Sequence, residues 1–166
     1  MFLCAIPAAA QSNAVTVVRD IDYVASVEYP DGKDRLDLYI PRDAGNAPVI
    51  FSIHGGALEI GNRREETFVG QRFAAAGYLT VVTSYRLSPQ VSHPAHIQDV
   101  AAAFAWVKRN IRAHGGDPDR IIVIGHSAGL DDDAEQRIGR DLAPDSALRG
   151  AHSGREEELI DSLFPG

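Results

Sequence analysis

The chain alternates short apolar segments with longer amphipathic ones. The apolar segments, at residues 48–53, 79–83 and 121–124, have the length and composition of strands that are buried on both faces of a sheet. Between them lie two segments with helical periodicity, at residues 67–76 and 95–114. Strands joined by helices form right-handed crossovers within a mainly parallel sheet. The sequence therefore predicts a three-layer α/β fold, with helices on both faces of the sheet.

The segment that precedes this series predicts an antiparallel hairpin. Residues 15–18 are rich in β-branched side chains, and in residues 36–40 leucine and isoleucine alternate with Asp37 and Tyr39. Such alternation is typical of a strand with one buried face. The sequence Pro-Asp-Gly-Lys at residues 30–33 has the composition of a turn and separates the two strands. We therefore expect the sheet to begin with a hairpin.

Two glycine motifs directly follow two of the apolar strands. Gly-His-Ser-Ala-Gly occupies residues 125–129, and His-Gly-Gly occupies residues 54–56. Glycines two before and two after a serine allow a tight turn from strand to helix, which lifts the serine hydroxyl above the sheet. A His-Gly-Gly turn leaves backbone N–H groups free to bind a developing oxyanion. The residues predicted for these roles are Ser127 as nucleophile, and Gly55, Gly56 and Ala128 as oxyanion hole.

Further segments place these motifs in a known family. Over about residues 34–130, the chain resembles the hormone-sensitive-lipase and feruloyl-esterase-like carboxylesterases of the α/β-hydrolase superfamily. The matching segments are His-Gly-Gly-Ala at 54–57, Tyr-Arg-Leu-Ser-Pro at 85–89, Pro-Ala-His-Ile-Gln-Asp-Val at 94–100, Gly-Gly-Asp-Pro-Asp-Arg-Ile at 115–121 and Gly-His-Ser-Ala-Gly at 125–129. The chain departs from the pattern at Ala57, where a third glycine is usual in the family.

The resemblance implies an α/β-hydrolase fold and a serine hydrolase that acts on small-molecule carboxylic esters through an acyl-enzyme on Ser127. Relatives that cleave amides share the same front half. The resemblance also implies that His54 orients the oxyanion loop and is not the catalytic base. We expect His126 to pack beside the serine. We expect no cofactor, and no metal because no cluster of His, Asp and Glu has ligand spacing.

For the remaining charged residues and histidines we expect structural roles. We expect Arg86 and Asp99 to form an ion pair that holds a loop against the long helix. The mixed charges at residues 63–66 are typical of a solvated loop or helix start. Three further histidines are expected on the surface or in packing: His93, His96 and His114.

The acid and base of a catalytic triad follow the nucleophile in this superfamily. His152 is the one histidine after Ser127, so it is the candidate base; the alternative is a surface histidine in a polar tail. Residues 131–166 carry ten acidic and four basic side chains, and they are too few for three further strand–helix units of about 30 residues each. These observations predict a hydrolase domain at residues 12–130 that is truncated after the serine motif.

Two functions therefore remain open: an ester hydrolase, or a non-catalytic fragment that lacks the acid and base. In a truncated domain, residues 121–124 would form an apolar sheet edge, and we expect self-association through it.

Charge and composition exclude some partners and leave location open. The net charge of −7 argues against binding to nucleic acid or anionic membranes, and no apolar run approaches the roughly 20 residues that span a bilayer. Residues 1–11 resemble the end of a signal peptide but lack its basic region, so an exported or periplasmic location and a cytoplasmic one both remain open. Cys4 is the only cysteine, which excludes an intramolecular disulfide.

Overall fold

The computed structural model of the protein describes residues 15–24 and 29–127. This part of the chain contains five strands and two α-helices, each close to a segment that the sequence predicts. The elements are β1 (Thr16–Asp22), β2 (Arg35–Ile40), β3 (Ala47–Ile53), α1 (Thr67–Ala75), β4 (Leu79–Thr83), α2 (Ala95–Asn110) with a 3₁₀ turn (Ile111–His114), and β5 (Gly116–Gly125).

The five strands form one mixed sheet in the order β1-β2-β4-β3-β5. β3, β4 and β5 are parallel to one another, whereas β2 runs antiparallel to both β1 and β4. β4 and β5 lie on opposite sides of β3, so right-handed crossovers place α1 and α2 on opposite faces of the sheet. The predicted three-layer α/β-hydrolase fold, with a mainly parallel sheet and an N-terminal antiparallel hairpin, is confirmed.

The core consists of two apolar layers, one on each face of the sheet. On the α2 face, Phe51 and Val81 belong to the larger cluster, and Phe104 meets Phe51 edge-to-face at 5.4 Å between ring centroids. On the α1 face, Ile50 packs with Phe73. Successive residues of β3 thus serve opposite layers, as the period of a strand requires. Burial on both faces explains why the parallel strands are continuous apolar runs.

β2 differs from its prediction as a strand with one buried face. Asp37 and Tyr39 are both fully buried, so the strand is covered on each side. α1 packs so closely on the second face that a Cβ at Gly70 would overlap the ring of Tyr39. Arg63 covers Asp37 and donates from Nε to Asp37 Oδ1 at 2.9 Å. The prediction of a solvated charge run is therefore wrong for Arg63, whose side chain is only 7% exposed.

β5 begins five residues earlier than its apolar run predicts. Gly116 already pairs with Ala47 of β3, and the register then shifts before Val49 pairs with Ile121. Asp117 Oδ1 accepts a hydrogen bond from the Asp119 amide at 3.0 Å within this irregular stretch. A bulge therefore lets a polar, turn-like sequence join the sheet, which composition alone does not reveal.

Within the described sheet β5 pairs only with β3, and the side chain of Ile122 on this strand is 37% exposed. An apolar edge strand can pair with a second copy of the chain. We expect Ile122→Lys to lower self-association severalfold in sedimentation experiments, because a charge at an edge opposes strand pairing. Gln71→Lys, which adds the same charge at an exposed position of α1, is the control. Equal self-association of both variants would contradict the expectation.

Other predictions fall outside the described residues. They include the signal-peptide resemblance at residues 1–11, the acidic segment at residues 131–166, the oxyanion donor Ala128 and the candidate base His152. Neither α-helix of the described part has the length and apolarity that a bilayer crossing requires.

Candidate active site

The two glycine motifs meet at one edge of the sheet. Ile53, the last residue of β3, is paired with Gly125, the last residue of the parallel strand β5. The chain therefore leaves both strands at the same edge, with His-Gly-Gly following one and His126 and Ser127 following the other. A Cβ at Gly55 would lie 2.7 Å from both Nε2 and the carbonyl oxygen of His126. Only glycine allows this close approach.

Ser127 lies on a strained turn immediately after β5. Its φ is +53°, in the left-handed region that residues other than glycine rarely adopt. Its side chain is exposed, while Gly125 at the end of the strand is buried. A strained backbone angle at an exposed serine just after a strand is one of the features expected of a nucleophile elbow.

Residues 54–61, named the oxyanion loop for the role that the sequence predicts, form a tight turn with unusual backbone angles. Gly56 has φ +112°, and a Cβ there would overlap the carbonyl oxygen of Ile60. The Gly56 carbonyl in turn accepts hydrogen bonds from the amides of Glu59 and Ile60 at 2.9 and 3.0 Å. Ala57 also has a positive φ, +53°. This angle gives a physical reason for a glycine at that position, since alanine pays roughly 1–2 kcal/mol there.

His54 is buried at the base of this loop, with 2% of its surface exposed. Its Nδ1 lies 2.8 Å from the carbonyl oxygen of Gly55, which can only accept, so Nδ1 carries the proton. Burial lowers the pKa of His54, which favours the neutral form of the ring. The ring stacks on Tyr85, with centroids 4.3 Å apart. These contacts agree with an orienting role for His54 rather than with a base.

The Tyr-Arg-Leu-Ser-Pro segment at residues 85–89 holds the oxyanion loop in place. The hydroxyl of Tyr85 donates to the carbonyl oxygen of His54 at 2.9 Å. The amide of Ser88 donates to the carbonyl oxygen of Leu58 at 2.7 Å. Burial raises the pKa of Tyr85 to about 12, so its hydroxyl remains a donor at neutral pH. The structure thus assigns a positioning role to a segment that the sequence offered only as a matching motif.

The predicted ion pair between Arg86 and Asp99 is confirmed. The guanidinium donates from Nε to Asp99 Oδ2 at 2.8 Å and from Nη2 to Oδ1 at 2.7 Å, a two-pronged arrangement. The amide of Arg86 donates to the same carboxylate at 3.0 Å. Nε2 of His96 lies 3.2 Å from Ser88 Oγ. The first turns of α2 therefore fix the segment that supports the oxyanion loop.

Two basic side chains that the sequence assigned to a turn and to a solvated charge run also contact this region. Lys33 donates from Nζ to the carbonyl oxygen of Gly61, and Arg63 donates from Nη1 to that of Gly32 at 3.0 Å. The amide of Arg63 donates to Ser84 Oγ at 3.0 Å. The signal that could have indicated Arg63 is a lone aspartate between two leucines in β2, since a carboxylate inside an apolar strand needs a cationic partner.

The Gly-Gly-Asp-Pro-Asp-Arg motif lies at the opposite end of β5, away from the serine. Arg120 donates from Nε to Asp117 Oδ2 at 2.7 Å and holds the pKa of that carboxyl below its usual range. Asn46 donates to the same oxygen at 3.0 Å. This motif closes the start of β5 onto the loop before β3, so its role is structural. The described residues contain no group of three side chains that could bind a metal ion.

The comparisons with known proteins agree with this geometry. Among curated proteins, the chain is 40% identical to the probable carboxylic ester hydrolase LipM of Mycobacterium tuberculosis over 119 residues, which are 68% of the chain and 28% of LipM. It is 41% identical to the probable isoprenylcysteine alpha-carbonyl methylesterase ICMEL1 of Oryza sativa subsp. japonica, covering 58% of the chain and 23% of that protein. The chain thus spans about a quarter of the length of these relatives.

Solved structures give the same fold. Esterase B from Lactobacillus rhamnosis, in a form inhibited by a tributyrin phosphonate, matches with a TM-score of 0.63 and 30% identity, covering 69% of this chain and 37% of that one. An esterase from Pyrobaculum calidifontis matches with a TM-score of 0.55 and 35% identity, covering 57% and 31%. The family model BD-FAE matches residues 36–131, more than half of the chain. The chain therefore belongs to the BD-FAE family, among the carboxylesterase-like α/β-hydrolases.

Proposed function

We propose that the protein is a carboxylic ester hydrolase whose nucleophile is Ser127. One observation carries the proposal: Ser127 lies exposed at φ +53° directly after β5, next to the glycine loop that follows the neighbouring parallel strand β3. An exposed serine on a strained turn beside glycines, whose N–H groups have no side chain of their own in the way, is suited to acyl transfer.

In the proposed reaction, Ser127 Oγ attacks the ester carbonyl carbon while its proton passes to a general base. The amides of Gly55, Gly56 and Ala128 bind the resulting oxyanion. Collapse of this intermediate breaks the bond to the alcohol, which leaves with the proton from the base, and an acyl-enzyme remains. Water then attacks the acyl-enzyme and releases the carboxylic acid. His152 is the candidate base, with an acid that would orient it in the same part of the chain.

The proposed substrates are small-molecule esters with short acyl or aryl groups. The relatives include a probable methylesterase, a para-nitrobenzyl esterase and an esterase inhibited by a tributyrin phosphonate. The names of these relatives all refer to esters, but the groups on either side of the ester bond differ among them. Para-nitrophenyl acetate is therefore a suitable first probe, because it contains the ester bond and its small acyl group needs little space in the pocket.

The test compares turnover of para-nitrophenyl acetate by the full chain and by Ser127→Ala. We expect the substitution to lower kcat by roughly 10³-fold or more, because it removes the nucleophile. Intact mass after treatment with a fluorophosphonate should show one adduct on the full chain and none on Ser127→Ala. Ser92→Ala, which alters an exposed serine before α2, is the matched control and should retain both turnover and labelling.

The same assay separates the two functions that the sequence leaves open. A folded protein with neither turnover nor labelling would overturn the proposal and favour a non-catalytic piece of the fold. Turnover that depends on Ser127 and survives His152→Ala would exclude His152 as the base. A loss of turnover of about 10³-fold in both Ser127→Ala and His152→Ala would support Ser127 as the nucleophile and His152 as its base.

A further inference from the structure

We infer that the turn between β1 and β2 positions the oxyanion loop, with Lys33 as the positioning residue. The inference rests on the proposed function, since it concerns how the oxyanion donors are held. It is carried by a reciprocal pair of hydrogen bonds. Lys33, in the turn, donates from Nζ to the carbonyl oxygen of Gly61 in the loop. Arg63, just after the loop, donates back from Nη1 to the carbonyl oxygen of Gly32 in the turn.

These two hydrogen bonds form a clamp between the turn at residues 30–33 and the loop, and the clamp is anchored to the sheet. Arg63 Nε donates to Asp37 on β2, and the amide of Arg63 donates to the hydroxyl of Ser84, which follows β4. The guanidinium also pairs with Asp20 on β1. The turn and the end of the loop are therefore attached to three strands that meet at the edge where the site lies. A group held by the clamp cannot shift without breaking bonds to the sheet.

Gly61 connects the clamp to the predicted oxyanion donors. Gly61 has φ +103°, and a Cβ there would lie 2.6 Å from Nδ1 of His54 and 2.8 Å from the carbonyl oxygen of Gly55. Nδ1 of His54 in turn donates to that same Gly55 oxygen at 2.8 Å. Gly61 therefore packs directly against the hydrogen bond that orients the Gly55 peptide. A displacement at Gly61 reaches the peptide units whose N–H groups bind the oxyanion in the proposed reaction.

Lys33 is unusually placed for a lysine in a turn. Its ammonium is half-buried, and burial lowers its pKa, with Asp31 and Glu65 opposing that effect and Arg63 adding to it. The partner that the structure shows for its Nζ is the neutral carbonyl of Gly61, not a carboxylate. Among the described residues its hydrogen-bond partner is a neutral carbonyl, which offsets the desolvation of an ammonium less than a carboxylate would. Accurate placement of that carbonyl is the benefit that this geometry supplies.

The side chain of Lys33 also lines an open cavity of about 460 Å³. Replacing it with methionine, which has nearly the same length, therefore removes the hydrogen bond without leaving a void in the apolar core. Lys33→Arg keeps a donor and serves as the conservative rescue. Arg64→Met is the matched control, because it removes a neighbouring positive charge that is 67% exposed and that reaches Asp20 only at 3.5 Å, without a bond to the turn or the loop.

The experiment combines turnover of para-nitrophenyl acetate with amide hydrogen exchange on the full chain. For Lys33→Met we expect kcat to fall about 10-fold with KM within about 2-fold, because a small misplacement of oxyanion donors costs mainly transition-state binding. We expect exchange to rise at residues 55–61 and to stay unchanged in α2. Lys33→Arg should recover most of kcat, and Arg64→Met should match the unaltered protein in both measurements.

Two results would overturn the inference. One is that Lys33→Met matches Arg64→Met in both kcat and exchange. The other is that exchange rises throughout the sheet and α2 together with a lower unfolding midpoint, which would mean that Lys33 acts only on overall stability. If the unaltered protein shows no turnover that depends on Ser127, the proposed function fails. Exchange at residues 55–61 then decides by itself whether the clamp holds the loop.

Discussion

Replacing Arg63 with methionine lowers the free energy of unfolding by about 3 kcal/mol, the largest stability effect that we expect from one side chain here. The guanidinium donates to Asp37, which is fully buried on β2, and the substitution leaves that carboxylate with Arg19 as its remaining cationic partner. A buried charge that loses a partner costs more than the pair itself contributed. Urea denaturation followed by circular dichroism measures the change.

Two further variants separate the buried charge from the loss of a surface arginine. Arg64→Met should change the free energy of unfolding by no more than about 0.5 kcal/mol, because the side chain of Arg64 is 67% exposed. Adding Asp37→Asn to Arg63→Met should restore roughly 1 to 2 kcal/mol, because a neutral amide is less costly to bury than a carboxylate. Equal effects of Arg63→Met and Arg64→Met would contradict the assignment of a buried pair.

Gly56→Ala should lower kcat for para-nitrophenyl acetate by about 100-fold, the effect of losing one oxyanion donor. Gly56 has φ +112°, which suits glycine, and a Cβ would overlap the carbonyl oxygen of Ile60. Because Ile60 also donates its amide to the Gly56 carbonyl, the turn must open to accept the methyl group. The Gly56 amide would then leave the position that it needs for binding the oxyanion.

Gly77→Ala is the control for this prediction, because it imposes the same kind of backbone strain elsewhere. Gly77 has φ +95° after α1, but a Cβ there meets no atom within 4 Å. We expect it to cost roughly 1 kcal/mol of stability and to leave kcat unchanged. If Gly56→Ala and Gly77→Ala gave the same kcat, Gly56 would not be part of an oxyanion hole.

The sequence predicts most of the elements because their signals are local. The bounds of β4 agree residue for residue, and α1 ends within one residue of the predicted helix at residues 67–76, before Gly77 at φ +95°. The predicted long helix at residues 95–114 ends in a 3₁₀ turn, and Gly115 follows it at φ +88°. Apolar periodicity and glycine at helix ends depend on neighbours a few residues apart, so they can be read without knowing the fold.

Part of the candidate site could be predicted in the same way, and part could not. The serine motif and the His-Gly-Gly motif are local patterns, and their strand context is visible in the sequence. That the two motifs lie side by side depends on the pairing of Ile53 with Gly125, which strand order decides. The residues that support the oxyanion loop, such as Tyr85 and Lys33, act through bonds across 31 and 28 residues of sequence.

Which charged side chains are buried is the clearest example of a feature that only the tertiary structure decided. The alternation in β2 predicts an exposed face for Asp37, and the charge run at residues 63–66 predicts solvent for Arg63, yet the two residues meet in the interior. The sequence by itself determined the strands, the helices and the two glycine motifs, because those depend on periodicity and on backbone angles. Which polar groups are enclosed depends on which surfaces pack together, and that follows only from the order of strands in the folded sheet.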